Sequence, residues 1–172
     1  TQPDDDAGPT PRQARAPSAE GMVLLGGTDP RTGRLVLAPK RTLPTAEAYI
    51  HQFHTHPDGR TLHAYGGVLM EWLGNRYCQV EDGAIKQCLQ PWLHRALRYV
   101  PTKDGVELAD FDSNPTTVNQ ALDTIRSYVH LPAATTSPSW LDEDSARPPA
   151  LEILPCRTLN LHIPSGEILP AT

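Results

Sequence analysis

Proline sets the limits on what this chain can fold into. Eighteen are spread through 172 residues, about twice the average share. Each fixes φ near −65° and removes a backbone donor, which predicts many short elements joined by rigid turns rather than long helices. The length allows one domain with tails, or at most two small ones, and a sizeable single core. Net charge is −5 and the sequence pI 5.7, whereas a strongly basic nucleic-acid domain sits above about 9. Any DNA contact must then come from a local patch or from residues outside this chain.

Three cysteines, Cys78, Cys88 and Cys156, form no close pair. They suit a reducing cytoplasm, as small core hydrophobes. No apolar run approaches the roughly 18 residues needed to span a bilayer, so no membrane partner is expected. Thr1 is not an initiator Met and no signal peptide is visible, so the sequence is expected to begin inside a longer chain.

Residues 1–20 hold four prolines, Asp4-Asp5-Asp6 and almost no large apolar side chain. Such a segment buries too little surface to offset its ordering entropy. It reads as a disordered or loosely docked linker, leaving 21–172 as a single domain. Met22–Leu25 and Arg34–Leu37 flank the turn sequence Asp29-Pro30-Arg31-Thr32-Gly33 and predict a small hairpin. Gly26-Gly27 lacks the Lys-Ser/Thr of a phosphate loop, so its glycines belong to a turn. Thr45 is read as the cap of a helix with Ala46, Tyr49, Ile50 and Phe53 on one face, ended by Pro57-Asp58-Gly59.

Three strands follow, Thr61–Tyr65, Val68–Leu73 and Arg76–Val80, joined by Gly66-Gly67 and Gly74-Asn75 at hairpin spacing. Trp72 and Tyr77 are near enough across the second turn to pack together. A helix is expected over Ala84–Tyr99, with Ile85, Cys88, Leu89, Trp92, Ala96 and Tyr99 as its stripe. Pro91 either kinks it or starts a second helix; the stripe stays in phase across Pro91, which favours the kink. Asn114 caps, and Pro115 opens, a helix running to Val129, with Val118, Ala121, Leu122, Ile125 and Val129 buried. Residues 131–149 read as a long loop anchored by Trp140-Leu141. Leu159, Leu161 and Ile163 alternate with Thr158, Asn160 and His162, as in a half-buried strand. Pro164-Ser165-Gly166 turns the chain, and Glu167-Ile168-Leu169 starts the return strand. The expected fold is α+β: a small antiparallel meander and a terminal hairpin packed with two to four helices, around Trp72, Leu89, Trp92, Leu122, Ile125 and Leu161.

Four histidines, His51, His54, His56 and His63, fall within thirteen residues, and imidazole is the commonest metal ligand. Helical zinc pairs need i, i+4 spacing on one face. These are spaced three, two and seven apart, so His51, His54 and His56, with Asp58 near, are weak metal candidates and solvated histidines are the default. Nucleophilic catalysis needs a Ser or Cys, a His and an acid convergent in space; no Gly-x-Ser-x-Gly elbow is present, and Cys78 and Cys88 point to the core. Asp110 with Asp112, and Asp142 with Glu143 and Asp144, sit in polar loops. No catalytic residue is assigned. Basic residues are scattered. Arg95 and Arg98 are read as sharing a helical face near Tyr99, and with Lys86 they are the candidate DNA-binding residues, against the alternative of a solvated helix face.

The terminal run Cys156-Arg157-Thr158-Leu159-Asn160-Leu161-His162-Ile163-Pro164-Ser165-Gly166-Glu167-Ile168-Leu169-Pro170 resembles the signature C-R-N-G-L-L-H-L-x-T-G-E-L-L-P-H-T-P. This signature leads into the helicase motor of phage and plasmid primase–helicases. His56–His63 through Trp72 and Tyr77 resembles the T-L-x-x-W-x-G-x-F-x-x-W-x-G-x-x-Y meander of the same proteins. Asn114–Val118 through Leu131-Pro132-Ala133 and Ser139-Trp140-Leu141 resembles P-T-x-x-V-x-x-V-L-x-A-L-x-x-x-x-x-L-P…P-x-W-L, and the Val36–Ile50 stretch is similar to the opening. The match is collinear over 35–172. Thr158-Leu159 stands for the usual Asn-Gly and Tyr65-Gly66-Gly67 for Trp-x-Gly, with one aromatic lost. The family is the N-terminal helicase-associated domain of phage, plasmid and poxvirus-type primase–helicases.

The resemblance implies a non-catalytic, cytoplasmic adaptor or collar in replication of a mobile element. It would couple primase to a hexameric ATP-dependent DNA helicase. No cofactor is expected in this chain, with ATP and Mg in the parent protein. Partners would be the motor and primase domains of the same protein and, weakly, DNA, in a homo-oligomer formed through the parent. The alternative is a stand-alone binding module of a mobile element that engages replication proteins.

Overall fold

The structure is a computed structural model and describes residues 22–57, 59–74, 76–103, 105–135, 139–141, 146–156 and 159–170. The expected linker at 1–20, Asp58, Asn75, Asp142-Glu143-Asp144 and Arg157-Thr158 lie outside the described residues. The fold is α+β. Its helices are α1 (Thr42–Phe53), α2 (Asp82–His94) and α3 (Pro115–Tyr128), with a 3-10 turn at Ala150–Glu152. The strands form small antiparallel sheets: β1 (Thr55–His56) with β2 (Gly59–Arg60); β3 (Leu62–Tyr65), β4 (Val68–Trp72) and β5 (Tyr77–Val80) as a meander; β6 (Leu97–Thr102) with β7 (Gly105–Asp110). Last come β8 (Ile153–Pro155), β9 (Leu159–His162) and β10 (Ile168–Pro170), with β9 central. No helix of the described residues is long and apolar enough to cross a membrane.

Local chemistry accounts for the best-defined elements. The Asn114 side chain accepts from the Thr117 N–H at 3.0 Å and Pro115 takes the first helical position, where its missing donor costs nothing. Val118, Ala121, Leu122 and Ile125 then fall on the buried face of α3. Between β3 and β4, Tyr65 pairs with Val68 across Gly66 and Gly67, whose φ values are +58° and +86°. A two-residue hairpin turn of this hand needs positive φ at both positions, which glycine adopts without strain. Trp72 pairs directly with Tyr77, their ring centroids 5.1 Å apart.

Helices and meander share one core, which includes Tyr49, Leu62, Leu69, Leu89, Leu122 and Ile125. Arg126 locks the layers at their edge: it donates to the Asp82 carboxylate and to the Gly67 carbonyl, tying α3 to the start of α2 and to the first meander turn. The chain leaving α3 runs beside β3, where Ala64 N–H donates to Val129 O and Leu131 N–H to Ala64 O, both at 2.9 Å.

Several expectations are corrected. The helix expected to reach Tyr99 ends at His94. It does run through Pro91, but Leu97–Thr102 is strand, paired with β7 and bonded to Leu35 and Leu37 through Leu97. Ala96 and Tyr99 matched a helical stripe, yet backbone partners remote in sequence decide the conformation, and a local period does not register them. Asp110, expected in a polar loop, ends β7 and pairs with Arg34 at 2.7 Å. The helix expected from Thr45 starts at Thr42, with Thr45 buried inside it. It stops at Phe53, before the Pro57 turn, and Phe53 is exposed. Met22–Leu25 is not a strand; the hairpin pairs Thr28 with Leu35 instead.

Three expected core residues lie elsewhere; Cys88, expected to point to the core from α2, is exposed. Trp72 is half-buried on the meander face opposite Leu69, which fills the core from the same strand. Leu161 is half-buried, while its neighbour Asn160 is buried. The alternation of β9 does divide it into two faces, but the polar neighbour lies on the covered one.

Candidate functional site

Three places in this fold gather chemistry, and the expected ones divide among them. The histidines separate. His51 is exposed on α1, His56 is exposed on β1, and His54 and His63 are buried. Among the described residues no three His, Cys, Asp or Glu side chains come together to hold a metal ion.

His54 caps α1 through its N–H, which donates to Ile50 O at 2.8 Å. Its ring is set beside Tyr49, centroids 5.5 Å apart; Tyr49 in turn meets Phe53 and, edge-on, Trp92. Trp92 donates its indole N–H to Gln52 at 2.8 Å. Glu71 approaches from β4, its Oε1 at 3.6 Å from His54 Nδ1, beyond hydrogen-bond reach. Both ring nitrogens of His54 are buried without a partner among the described residues. Burial therefore pushes its pKa down, against the pull of the Glu71 carboxylate. Burial, reinforced by Cys88 and Glu71, pushes the Tyr49 phenol up to about 12.

On the other face of the meander, Arg60 O is 3.0 Å from His63 Nε2 and accepts from the Tyr77 hydroxyl at 2.9 Å. The Arg60 guanidinium donates to Tyr128 O and stacks over the Tyr128 ring at 4.9 Å. Burial lowers the His63 pKa and raises that of Tyr77. These groups hold one another; they are a structural knot rather than an open site.

The candidate DNA-binding residues do not form one patch on a helix. Lys86 is half-buried within α2, Arg95 follows its last residue, and Arg98 lies on β6, donating to Asp110 O at 3.2 Å. The shared helical face of Arg95, Arg98 and Tyr99 is thus corrected. Tyr99 instead reaches back to Val23, accepting its N–H at 2.8 Å.

The terminal sheet carries an apolar row on one face. Register places Leu154, Leu161 and Ile168 in one cross-strand row, with Leu159 and Pro170 on the same side. Leu154 is 50% and Ile168 66% exposed. The opposite face carries Ile153, Asn160, His162 and Leu169, with Asn160 donating its amide to Pro170 O at 3.3 Å. At the turn end of the same sheet, His162 stands between Ser165 and Glu152, at 2.6 Å and 3.1 Å. The sequence offered a signal for half of this, since a turn brings residues three apart together; nothing in it placed Glu152. No family model, curated protein or solved structure matches the chain.

Proposed function

We propose that this chain is a docking adaptor, and that its partner is the helicase and primase machinery its sequence resembles. On this reading it couples primase to a hexameric ATP-dependent DNA helicase in the cytoplasm, within a homo-oligomer built by the parent protein, and adds no nucleotide chemistry of its own. The observation that carries the reading is the outward row Leu154–Leu161–Ile168. Aliphatic side chains held in register on a sheet form a flat apolar surface that gains by being covered. The resemblance to the element that precedes the motor falls on this same hairpin.

Calorimetric titration of the chain against the ATPase and primase domains of the same protein tests this. Binding to at least one of them is expected. Leu154→Asp with Ile168→Asp should weaken it by about 30-fold or more, the size of a hot-spot loss, with the circular dichroism spectrum unchanged. Absence of binding to both domains, or unchanged affinity in the double variant, would refute the adaptor reading. Pure chain should show no ATP turnover.

A further inference from the structure

We propose that Ser165 is a nucleophile, activated through His162 and Glu152, that takes an acyl group from small carboxylic esters. This goes beyond the adaptor reading and does not depend on it. The hydroxyl of Ser165 lies 2.6 Å from His162 Nδ1, and His162 Nε2 lies 3.1 Å from Glu152 Oε2. One tautomer satisfies both contacts: Nδ1 accepts from the serine and Nε2–H donates to the carboxylate. That is the arrangement of hydroxyl, base and orienting acid that nucleophilic catalysis requires. The two ring nitrogens are exchanged relative to the common serine-hydrolase order, and imidazole relays a proton in either sense.

Backbone geometry holds the three groups in place. His162 N–H donates to Glu167 O and Gly166 N–H to His162 O, at 2.9 and 2.8 Å, closing the turn that carries Ser165. Gly166 has φ +69°, a conformation other residues rarely adopt. On the other side, Ile163 N–H donates to Glu152 O at 2.8 Å, and Ile153 pairs with His162, so the sheet register brings Glu152 to the imidazole. The Glu167 N–H donates to Ser165 Oγ at 3.2 Å, leaving the hydroxyl proton for His162. Ser165 is exposed, so an ester can reach its hydroxyl from solvent.

The step balances. Ser165 Oγ adds to the ester carbonyl while His162 Nδ1 takes its proton. The C–O bond to the alcohol breaks, and that oxygen leaves with the proton from Nδ1. Water then adds to the acyl carbon, His162 accepts its proton, and Ser165 leaves and regains it. Glu152 touches neither ester nor water and is a positioning residue.

The full chain treated with a fluorophosphonate, followed by peptide mass spectrometry, tests the proposal. A single adduct on Ser165 is expected, together with hydrolysis of p-nitrophenyl acetate above the level of Ser165→Ala. His162→Asn should slow labelling about a hundredfold, the low end for loss of a general base. Glu152→Ala should slow it about tenfold and Glu152→Gln, which keeps an acceptor for the Nε2–H, should recover most of that loss. A merely structural glutamate would leave the labelling rate in place in both variants. Modification elsewhere with none on Ser165, or equal rates for wild type, His162→Asn and Glu152→Ala, would overturn the assignment.

Discussion

Replacing His54 with leucine should make this protein more stable. His54 is 5% exposed, and neither of its ring nitrogens has a hydrogen-bond partner among the described residues. A buried polar group left unpaired costs about 1–3 kcal/mol. Leucine is close to it in volume and would pack against Tyr49 without that cost, so a net gain of about 1–3 kcal/mol is expected at pH 7.5. For a chain of this size, 1 kcal/mol moves the midpoint of thermal unfolding by roughly 2–4 °C. Acid should enlarge the difference. Burial lowers the folded-state pKa of His54, so below about pH 6.5, the ordinary histidine value, the unfolded chain binds the proton first. Stability contributed by the neutral imidazole is complete above that pH. It is lost as pH falls toward the folded pKa, by at most about 1.4 kcal/mol per pH unit for one group. His63 behaves in the same way, so wild type carries two such groups and His54→Leu one. Urea unfolding at pH 7.5 and 5.5 measures both effects. A lower midpoint for the variant at pH 7.5, combined with the full wild-type acid sensitivity, would refute the reasoning and show that the imidazole has a partner of its own.

Three further outcomes are expected. Asn114→Ala removes the side chain that accepts from Thr117 and should cost about 1 kcal/mol, seen as a lower urea midpoint with an unchanged slope. Ile125→Ala empties a fully buried position in α3 and should cost about 2–5 kcal/mol; a loss below 1 kcal/mol in the same assay would mean that the helices and meander do not share this core. On the proposed adaptor reading, Arg95→Ala with Arg98→Ala should lower DNA affinity at low salt and reduce the log–log salt slope by about two units, measured by fluorescence anisotropy on the protein that carries this chain. An unchanged slope would move the contact off these residues, whether or not they lie on one element.

Local signals were legible where a few adjacent residues decide the conformation. Asn114-Pro115 fixes the start of α3 because cap and first turn are made by residues three apart. Gly66-Gly67 defines the meander turn because few other residues take positive φ twice in succession. The meander, its Trp72–Tyr77 pair and the terminal hairpin could all be read on these grounds. Tertiary structure decided the rest. Ala96 and Tyr99 continue a helical stripe, yet Leu97–Thr102 is strand, since its hydrogen-bond partners are β7 and the Leu35–Leu37 segment. The alternation in β9 defined two faces without saying which is more covered; Asn160 is buried while Leu161, on the other face, is only half-buried. His54 and Glu71, and likewise His162 and Glu152, meet only through sheet register and helix packing. Periodicity reports how a segment divides its own side chains; which side is buried, and which distant group stands opposite, depends on partners that a local window does not contain.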